Sequence, residues 1–292
     1  MGKLLVLNQT NVLNDGTNAS FVYTFPNGGY VFKDDLIGIQ SISQYYSAFN
    51  ITASNENNTF SYRWVNGNVY TVVFADGYYT LEDINARLQS VMVANTHYLI
   101  SNATGANVYF MTWTVNQSKY VYQLSVFPTT LTSYPLGTVG ATFKYPVGVS
   151  GWQLNNQAPD CIIPAKFNEL VGFVVGEYPP ALQASSLSFL STTAPQIVPS
   201  PSILVFCSLV NNRAVVPNNL IFAYTPSGVE FGQIQTYEPT AELAWCKIMD
   251  GTYNQFIIQF RDQYGREIIF QDPNSTIILH TKNRNEYGER NI

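Results

Sequence analysis

The spacing of apolar residues becomes helical at one place, between Val69 and Val91. Val69 to Phe74 is a run of β-branched and aromatic residues, which predicts a strand. After this strand, four apolar residues recur at three- and four-residue intervals and predict a helix near residues 80–93 with one apolar face. These residues are Leu81, Ile84, Leu88 and Met92. A single amphipathic helix must bury its apolar face against a sheet.

The ends of this helix carry their own signals. Asp76-Gly77 is a turn signal before the helix, because glycine adopts positive φ without steric cost. Thr80 is placed to cap the first turn, with Asp83 at the third helical position as in a capping box. Glu82 and Asp83 then lie where carboxylates suit the helix dipole, so we assign them a structural role.

The rest of the chain alternates strand patterns with turn signals. Asn66-Gly67 predicts a hairpin between Phe60–Trp64 and 68–74, and 116–119 predicts a second between 108–115 and 120–127. Near the end of the chain, alternating apolar residues predict a strand, with a turn over 262–265 and a return through Ile268 and Phe270. About a dozen such strands, without βαβ alternation, predict an all-β sandwich or barrel.

Two segments carry weaker patterns. Residues 1–18 are a polar lead after a short apolar start, Leu4 to Leu7, and we interpret them as an arm that pairs with a neighbour. Residues 179–202 contain five prolines, yet include Leu187 and Phe189. We expect a long ordered surface loop or crossover there.

Composition adds an argument about the surface. Hydrophobic residues make up 46% of the chain and charged residues only 11%. Soluble surfaces usually carry more charge, so we expect much of this surface to be covered by neighbours in an assembly. A monomer with a neutral polar surface is the alternative. The net charge of −5, without a cluster of Lys or Arg, argues against a nucleic-acid groove and a basic membrane helix.

Cysteines and targeting signals exclude further classes. Cys161, Cys207 and Cys246 are odd in number and widely spaced, so we predict three buried free thiols. The N-terminus has no secretory h-region, and no apolar run is long enough to span a membrane. Seven N-x-S/T sequons are best explained by the abundance of asparagine. They begin at Asn8, Asn18, Asn50, Asn57, Asn102, Asn116 and Asn274.

We find no enzyme constellation. His97 and His280 are the two histidines, and each lies beside apolar strand residues, which favours a structural role. The motifs GxSxG, GxGxxG and GxxxxGK[ST] are absent. Asp34-Asp35 could contribute to a calcium site, but a solvated turn is the better interpretation, because calcium needs six or more oxygens. We therefore predict no catalytic, cofactor-binding or metal-binding residues, and place Trp152 and Trp245 in the core or an interface.

Six segments, taken in order, resemble one family of viral proteins. They are FVYTFPNGGYVF (21–32), YYSAFNIT (45–52), FADGYYTLEDINARLQ (74–89), FNELVGF (167–173), FIIQFRDQYGREIIF (256–270) and TIILHTK (276–282). In these segments the chain resembles the capsid vertex (penton, or minor capsid) proteins of virophages, Polinton-like viruses and related elements of the double-jelly-roll lineage.

The resemblance implies a fold and a division of the chain. Family members are jelly-roll β-sandwiches with an outward insertion, so we expect a jelly-roll base over residues 1–60 and 200–292. Residues 61–199 would then be a β-rich insertion with the short amphipathic helix and long loops. The family brings no catalytic residue, cofactor or metal.

The resemblance also implies a function. The chain would be a non-enzymatic structural protein of an icosahedral virion, a homopentamer around the fivefold axis. Its partners would be itself, the neighbouring major capsid protein and, through exposed loops, a host receptor or glycan. It would be located in the virion after assembly inside the infected cell. Two alternatives stay open: a trimeric double-jelly-roll capsid subunit, and a glycan-binding attachment β-sandwich.

Overall fold

The computed structural model describes residues 2–129, 142–152, 157–197, 202–212, 216–226, 228–239 and 242–284. It is an all-β structure with two α-helices. The chain divides into two compact units. Unit 1 comprises Met1–Phe49 and Val198–Ile292, and unit 2 comprises Asn50–Ile197. Neither helix in the described residues is long and apolar enough to cross a membrane.

The described part of unit 1 contains eleven strands and two short 3-10 helices, Gln9–Asn11 and Pro26–Gly28. The strands are β1 (Lys3–Leu7), β2 (Ser20–Thr24), β3 (Tyr30–Phe32), β4 (Asp35–Tyr45), β15 (Ile203–Cys207), β16 (Leu220–Tyr224), β17 (Ile234–Tyr237), β18 (Cys246–Lys247), β19 (Gly251–Tyr253), β20 (Gln255–Arg261) and β21 (Ser275–Asn283).

The described part of unit 2 contains ten strands and both α-helices. The elements are β5 (Thr59–Arg63), β6 (Val69–Val73), α1 (Leu81–Ala94), β7 (Tyr98–Ser101), β8 (Asn107–Tyr109), β9 (Met111–Asn116), β10 (Val121–Val126), β11 (Phe143–Lys144), β12 (Asp160–Ile163), α2 (Phe167–Val171), β13 (Gly176–Tyr178) and β14 (Leu187–Leu190).

Strand pairing in unit 1 follows a nested order. In chain order, the eight principal strands are β1, β2, β4, β15, β16, β17, β20 and β21. The first pairs antiparallel with the last, the second with the seventh, the third with the sixth and the fourth with the fifth. Pairing of β4 with β21 and of β15 with β20 completes two sheets, β1-β21-β4-β17 and β16-β15-β20-β2. This is the jelly-roll sandwich, with unit 2 inserted between β4 and β15.

One core joins the two sheets of unit 1. Alternate residues of β1, β20 and β21 are buried, as a sandwich requires, because successive side chains point to opposite faces. Ile277 and Leu279 come from one sheet, and Phe256 and Phe260 from the other. The Phe21 and Phe260 rings meet edge to face, with centroids 5.8 Å apart.

Unit 2 has three small antiparallel sheets, β13-β12-β5-β6, β14-β10-β9 and β11-β7-β8. Helix α1 buries the four apolar residues that the sequence placed on one face, and these enter the core of unit 2. The capping box also forms: Asp83 N donates to Thr80 Oγ1 at 3.2 Å, and Thr80 N donates to Asp83 Oδ2 at 2.9 Å. The predicted hairpins are confirmed as the pairs β5–β6 and β9–β10.

Three expectations are corrected. The apolar start is strand β1, which pairs with β21 of the same chain. The expected loop 179–202 contains β14, which pairs with β10. The return through Ile268 and Phe270 forms isolated bridges only, between Arg261 and Glu267 and between Ala48 and Phe270. For β1 the apolar pattern was evident in the sequence but could not identify β21 as the partner strand. For β14 and the return through Ile268 and Phe270, the local pattern did not predict the observed element.

Candidate functional site

His97 lies in an aromatic cage in the core of unit 2. Its ring stacks on Trp64 with centroids 4.0 Å apart, and Tyr70 meets its edge at 4.8 Å. Its Nδ1 is 2.9 Å from the Tyr62 hydroxyl, an arrangement in which a neutral imidazole accepts a hydrogen bond from the hydroxyl. Burial lowers the pKa of His97 to about 4. His97 is therefore neutral at pH 7, and it is buried in the core, where its apolar neighbours in the sequence indicated it would lie.

His280 lies on β21, half-buried, and is also in an aromatic setting. Its ring centroid is 5.5 Å from that of Trp245, and the Lys282 ammonium lies 4.0 Å from the Trp245 centroid. Trp245 passes close over Gly38, where an added Cβ would be 3.1 Å from the Ala244 carbonyl oxygen. These contacts fix the indole against the sheet without forming a nucleophile–base pair.

An ion-pair network that the sequence did not reveal connects three strands of unit 2. Arg63 on β5 pairs with Glu177 at 2.5 Å and with Asp160 at 3.3 Å. Asp160 is buried, and its Oδ1 has no hydrogen-bond partner among the described residues. Desolvation raises the pKa of Asp160 to about 6; Arg63 opposes this rise and Glu177 adds to it. Both carboxylates are held by one guanidinium, so the network is explained by strand pairing without a catalytic role.

The three thiols do not share one environment. Cys161 and Cys207 are free and buried, whereas Cys246 is free but only partly buried, which corrects the expectation of three buried thiols. Burial raises the pKa of Cys207 to about 12 and also raises that of Cys161. These thiols are poor nucleophiles, because the thiolate is the reactive form.

The two adjacent aspartates bind groups of their own unit. Asp34 accepts from the Lys247 ammonium at 2.9 Å, and Asp35 accepts from the backbone N–H of Lys33 at 3.0 Å and from Asn283 Nδ2 at 3.3 Å. Among the described residues, no group of three or more His, Cys, Asp or Glu side chains could hold a metal ion.

The most distinctive surface is the outer face of the sheet β1-β21-β4-β17, which we call the outer face. Its side chains alternate with those of the core. They are Leu4, Val6, Ser41, Ser43, Tyr45, Ile234, Thr236, Thr276, Ile278 and His280. None of these ten is an Asp, Glu, Lys or Arg, but the next residue of β21 on the same face, Lys282, is charged. Leu4, Val6 and Ile234 are 59%, 47% and 57% exposed.

A groove of about 390 Å³ lies at one end of the outer face. Its lining includes Ser43, Tyr45, Ile234 and Thr276, and its described lining residues are all uncharged. Depletion of charge combined with exposed apolar groups is the composition of an interface core. Sequence reasoning predicted an assembly surface from the low charge, but could not locate it, because the face combines residues from both ends of the chain.

Comparison with known proteins adds little beyond this geometry. No family model matches the sequence, and no curated protein matches it significantly. The structure is similar to that described as "Crystal structure of SeMet-labeled mavirus penton protein", with a TM-score of 0.45 and 9% sequence identity. The match covers 96% of this chain and 97% of that chain. A TM-score this low establishes neither a common fold nor a function.

Proposed function

We propose that this chain is a structural capsid protein and that its place is the pentameric vertex of an icosahedral virion. The outer face carries the proposal: it is a sheet face of a jelly roll with exposed apolar residues, and its one charged strand residue, Lys282, lies at the end of β21. A freely soluble face of this kind would normally carry charges. Contact with neighbouring subunits would cover it and supply the hydrophobic stabilisation.

The choice of the vertex rests on the ordered motifs that resemble penton proteins. The proposal includes self-association as a homopentamer, contact with a major capsid protein and a location in the virion. Exposed loops would supply any contact with a host receptor or glycan. His97 and Asp160, whose pKa values are shifted by burial, lie in structural networks, so we assign the chain no enzymatic activity.

The trimeric alternative receives no support from the strand pairing. A double jelly roll needs a second nested set of eight strands. In the described part of unit 2, strands pair mainly with near neighbours along the chain, as in β5–β6, β7–β8 and β9–β10.

Native mass spectrometry of the purified chain tests the proposal, with Val6→Asp as the variant and Val73→Asp as its matched control. Val6 is 47% exposed on the outer face and Val73 is 45% exposed on β6 of unit 2. We expect wild-type pentamers, loss of pentamers in Val6→Asp and retention in Val73→Asp. Trimers would favour the alternative subunit, and persistent monomers would contradict the assembly role.

A further inference from the structure

The sheet that bears the outer face has two edges in the described structure. Strand β1 pairs with β21 alone, and at the opposite side β17 pairs with β4 alone. An edge strand presents unpaired backbone groups and is a natural site for contact with another chain. The two edges differ in charge.

The edge at β1 is basic. Lys3, Lys33 and Lys282 line one groove of about 400 Å³ beside Tyr30. Lys3 and Lys33 are exposed, and Lys3 donates to the Tyr30 hydroxyl at 2.6 Å. Asp35 is the one carboxylate among the described lining residues, and it already accepts two hydrogen bonds from Lys33 N and Asn283. In a chain of net charge −5, this groove concentrates positive charge.

The edge at β17 is acidic. The sequence from residue 214 to residue 246 contains Glu230, Glu238 and Glu242 but no Lys or Arg. The short strand β18 pairs with β4 on the same side as β17 and carries Lys247, which is already paired with Asp34 and Asp250. Glu230 precedes β17 and Glu238 follows it directly. All three carboxylates are on exposed residues, and none forms an ion pair with a described residue.

We propose that the β1 edge of one copy docks against the β17 edge of the next copy, so that copies join head to tail. The occupant of each edge is therefore a second copy of this chain. Lys3 and Lys33 would face Glu238 and Glu242, and apolar Leu4 and Val6 would pack near Ile234. This inference rests on the proposed capsid function and names the contact by which subunits assemble.

The charge pattern favours contact between a β1 edge and a β17 edge over contact between two identical edges. Two β1 edges would oppose lysine to lysine and two β17 edges would oppose glutamate to glutamate, and like charges across an interface are strongly unfavourable. Opposite edges attract. A head-to-tail contact is heterologous, and repeated heterologous contacts close into a ring when the rotation fits. Twofold dimers are thereby disfavoured relative to rings.

A charge-swap experiment tests the contact. One variant carries Lys3→Glu and Lys33→Glu, a second carries Glu238→Lys and Glu242→Lys, and a third carries all four substitutions. The control is Glu56→Lys with Lys119→Glu, a reversal at exposed positions of unit 2. Circular dichroism and thermal melting verify that each variant is folded, and native mass spectrometry with sedimentation gives the oligomer and its dissociation constant.

We expect each double variant to weaken association by about tenfold or more, because both edges then carry the same sign. The quadruple variant restores the ring, because the charges are exchanged and complementary again, and the control pair leaves it unchanged. Raising salt from about 0.1 M to about 1 M shortens the Debye length from about 10 Å to about 3 Å and weakens the wild-type ring.

Two failures are distinguishable. If wild-type rings form but the double variants assemble equally well, or the quadruple variant stays dissociated, the edge contact is wrong and the capsid function stands. If the wild-type chain forms no ring at any salt concentration, the proposed vertex function fails and the contact fails with it. A variant that does not fold is replaced by its Lys→Gln or Glu→Gln counterpart, for which a smaller weakening in the same direction is expected.

Discussion

The imidazole of His97 lies parallel to the indole of Trp64, with planes 9° apart and ring centroids 4.0 Å apart. Tyr62 and Tyr70 enclose the remaining sides, and Tyr62 O–H is within hydrogen-bonding distance of Nδ1. The Tyr62 hydroxyl donates a hydrogen bond to the neutral ring, and His97 forms no ion pair with a carboxylate of the described residues. Protonation therefore requires either a buried cation or opening of the cage.

This geometry predicts acid destabilisation through His97. Its pKa lies at about 4 in the folded chain against an ordinary value of 6.5, so its neutral form is favoured by folding. The corresponding stability is complete above pH 6.5 and is lost as the pH falls towards 4, by about 3 kcal/mol. His97→Gln keeps an acceptor for Tyr62 but cannot titrate. We expect urea unfolding between pH 7 and pH 4 to show this loss in the wild type relative to the variant. Parallel curves would contradict the assignment.

Asp160 predicts the opposite dependence. Its pKa is raised from 3.8 to about 6 because its buried carboxylate loses hydration. An ionised Asp160 therefore destabilises the fold above pH 6, and this penalty of about 3 kcal/mol disappears as the pH falls from 6 towards 3.8. Asp160→Asn cannot titrate, so it does not gain stability as the pH falls. Compared with wild type, the free energy of unfolding of the variant should fall more steeply on acidification. If the free energy of unfolding had the same pH dependence in Asp160→Asn and in the wild type, Arg63 would be compensating fully for the buried charge of Asp160.

The two groups lie in the same unit and titrate over overlapping ranges with opposite signs. Their contributions to the free energy of unfolding largely cancel in the wild type. A flat stability profile between pH 4 and pH 6.5 is therefore expected even though both groups titrate. The single variants separate them. The double variant His97→Gln with Asp160→Asn should return to a flat profile, because both terms are then absent.

Local patterns in the sequence predicted the elements that depend on near neighbours. The α1 helix, its Thr80–Asp83 cap and the Asn66-Gly67 hairpin follow from the spacing of residues that are close together in the sequence. The Arg63–Asp160–Glu177 network does not, because its members are about a hundred residues apart and meet only through the register of β5, β12 and β13. The outer face likewise unites β1 with β21. Pairing between distant strands is set by the global fold, and period-two alternation predicts the face without the partner.

The thiols differ in predicted reactivity. Cys246 is partly buried, whereas Cys161 and Cys207 are fully enclosed, so only Cys246 is accessible to a reagent in the folded chain. Labelling with a thiol reagent near pH 8 should modify one cysteine slowly in native protein and three after unfolding in urea. Cys246→Ser should abolish the native reaction. Rapid native labelling of two or more cysteines would show that one of the enclosed thiols is accessible through local opening.

Substitution of Leu88 tests whether the apolar face of α1 closes part of the core of unit 2. Its side chain is fully buried in the core of unit 2, one turn beyond Ile84 on the same face of the helix. Leu88→Asp puts an unpaired carboxylate into that core and should cost about 4 kcal/mol or more, enough to prevent folding or assembly. Ala86→Asp makes the same kind of change on the exposed side of the same helix, so it should stay within about 1 kcal/mol of wild type. Thermal melting and the yield of oligomer measure both. Both variants place an aspartate in the same helix and add one negative charge, so a difference in stability between them reports the effect of burial. Equal yields would refute the role of α1 in closing the core.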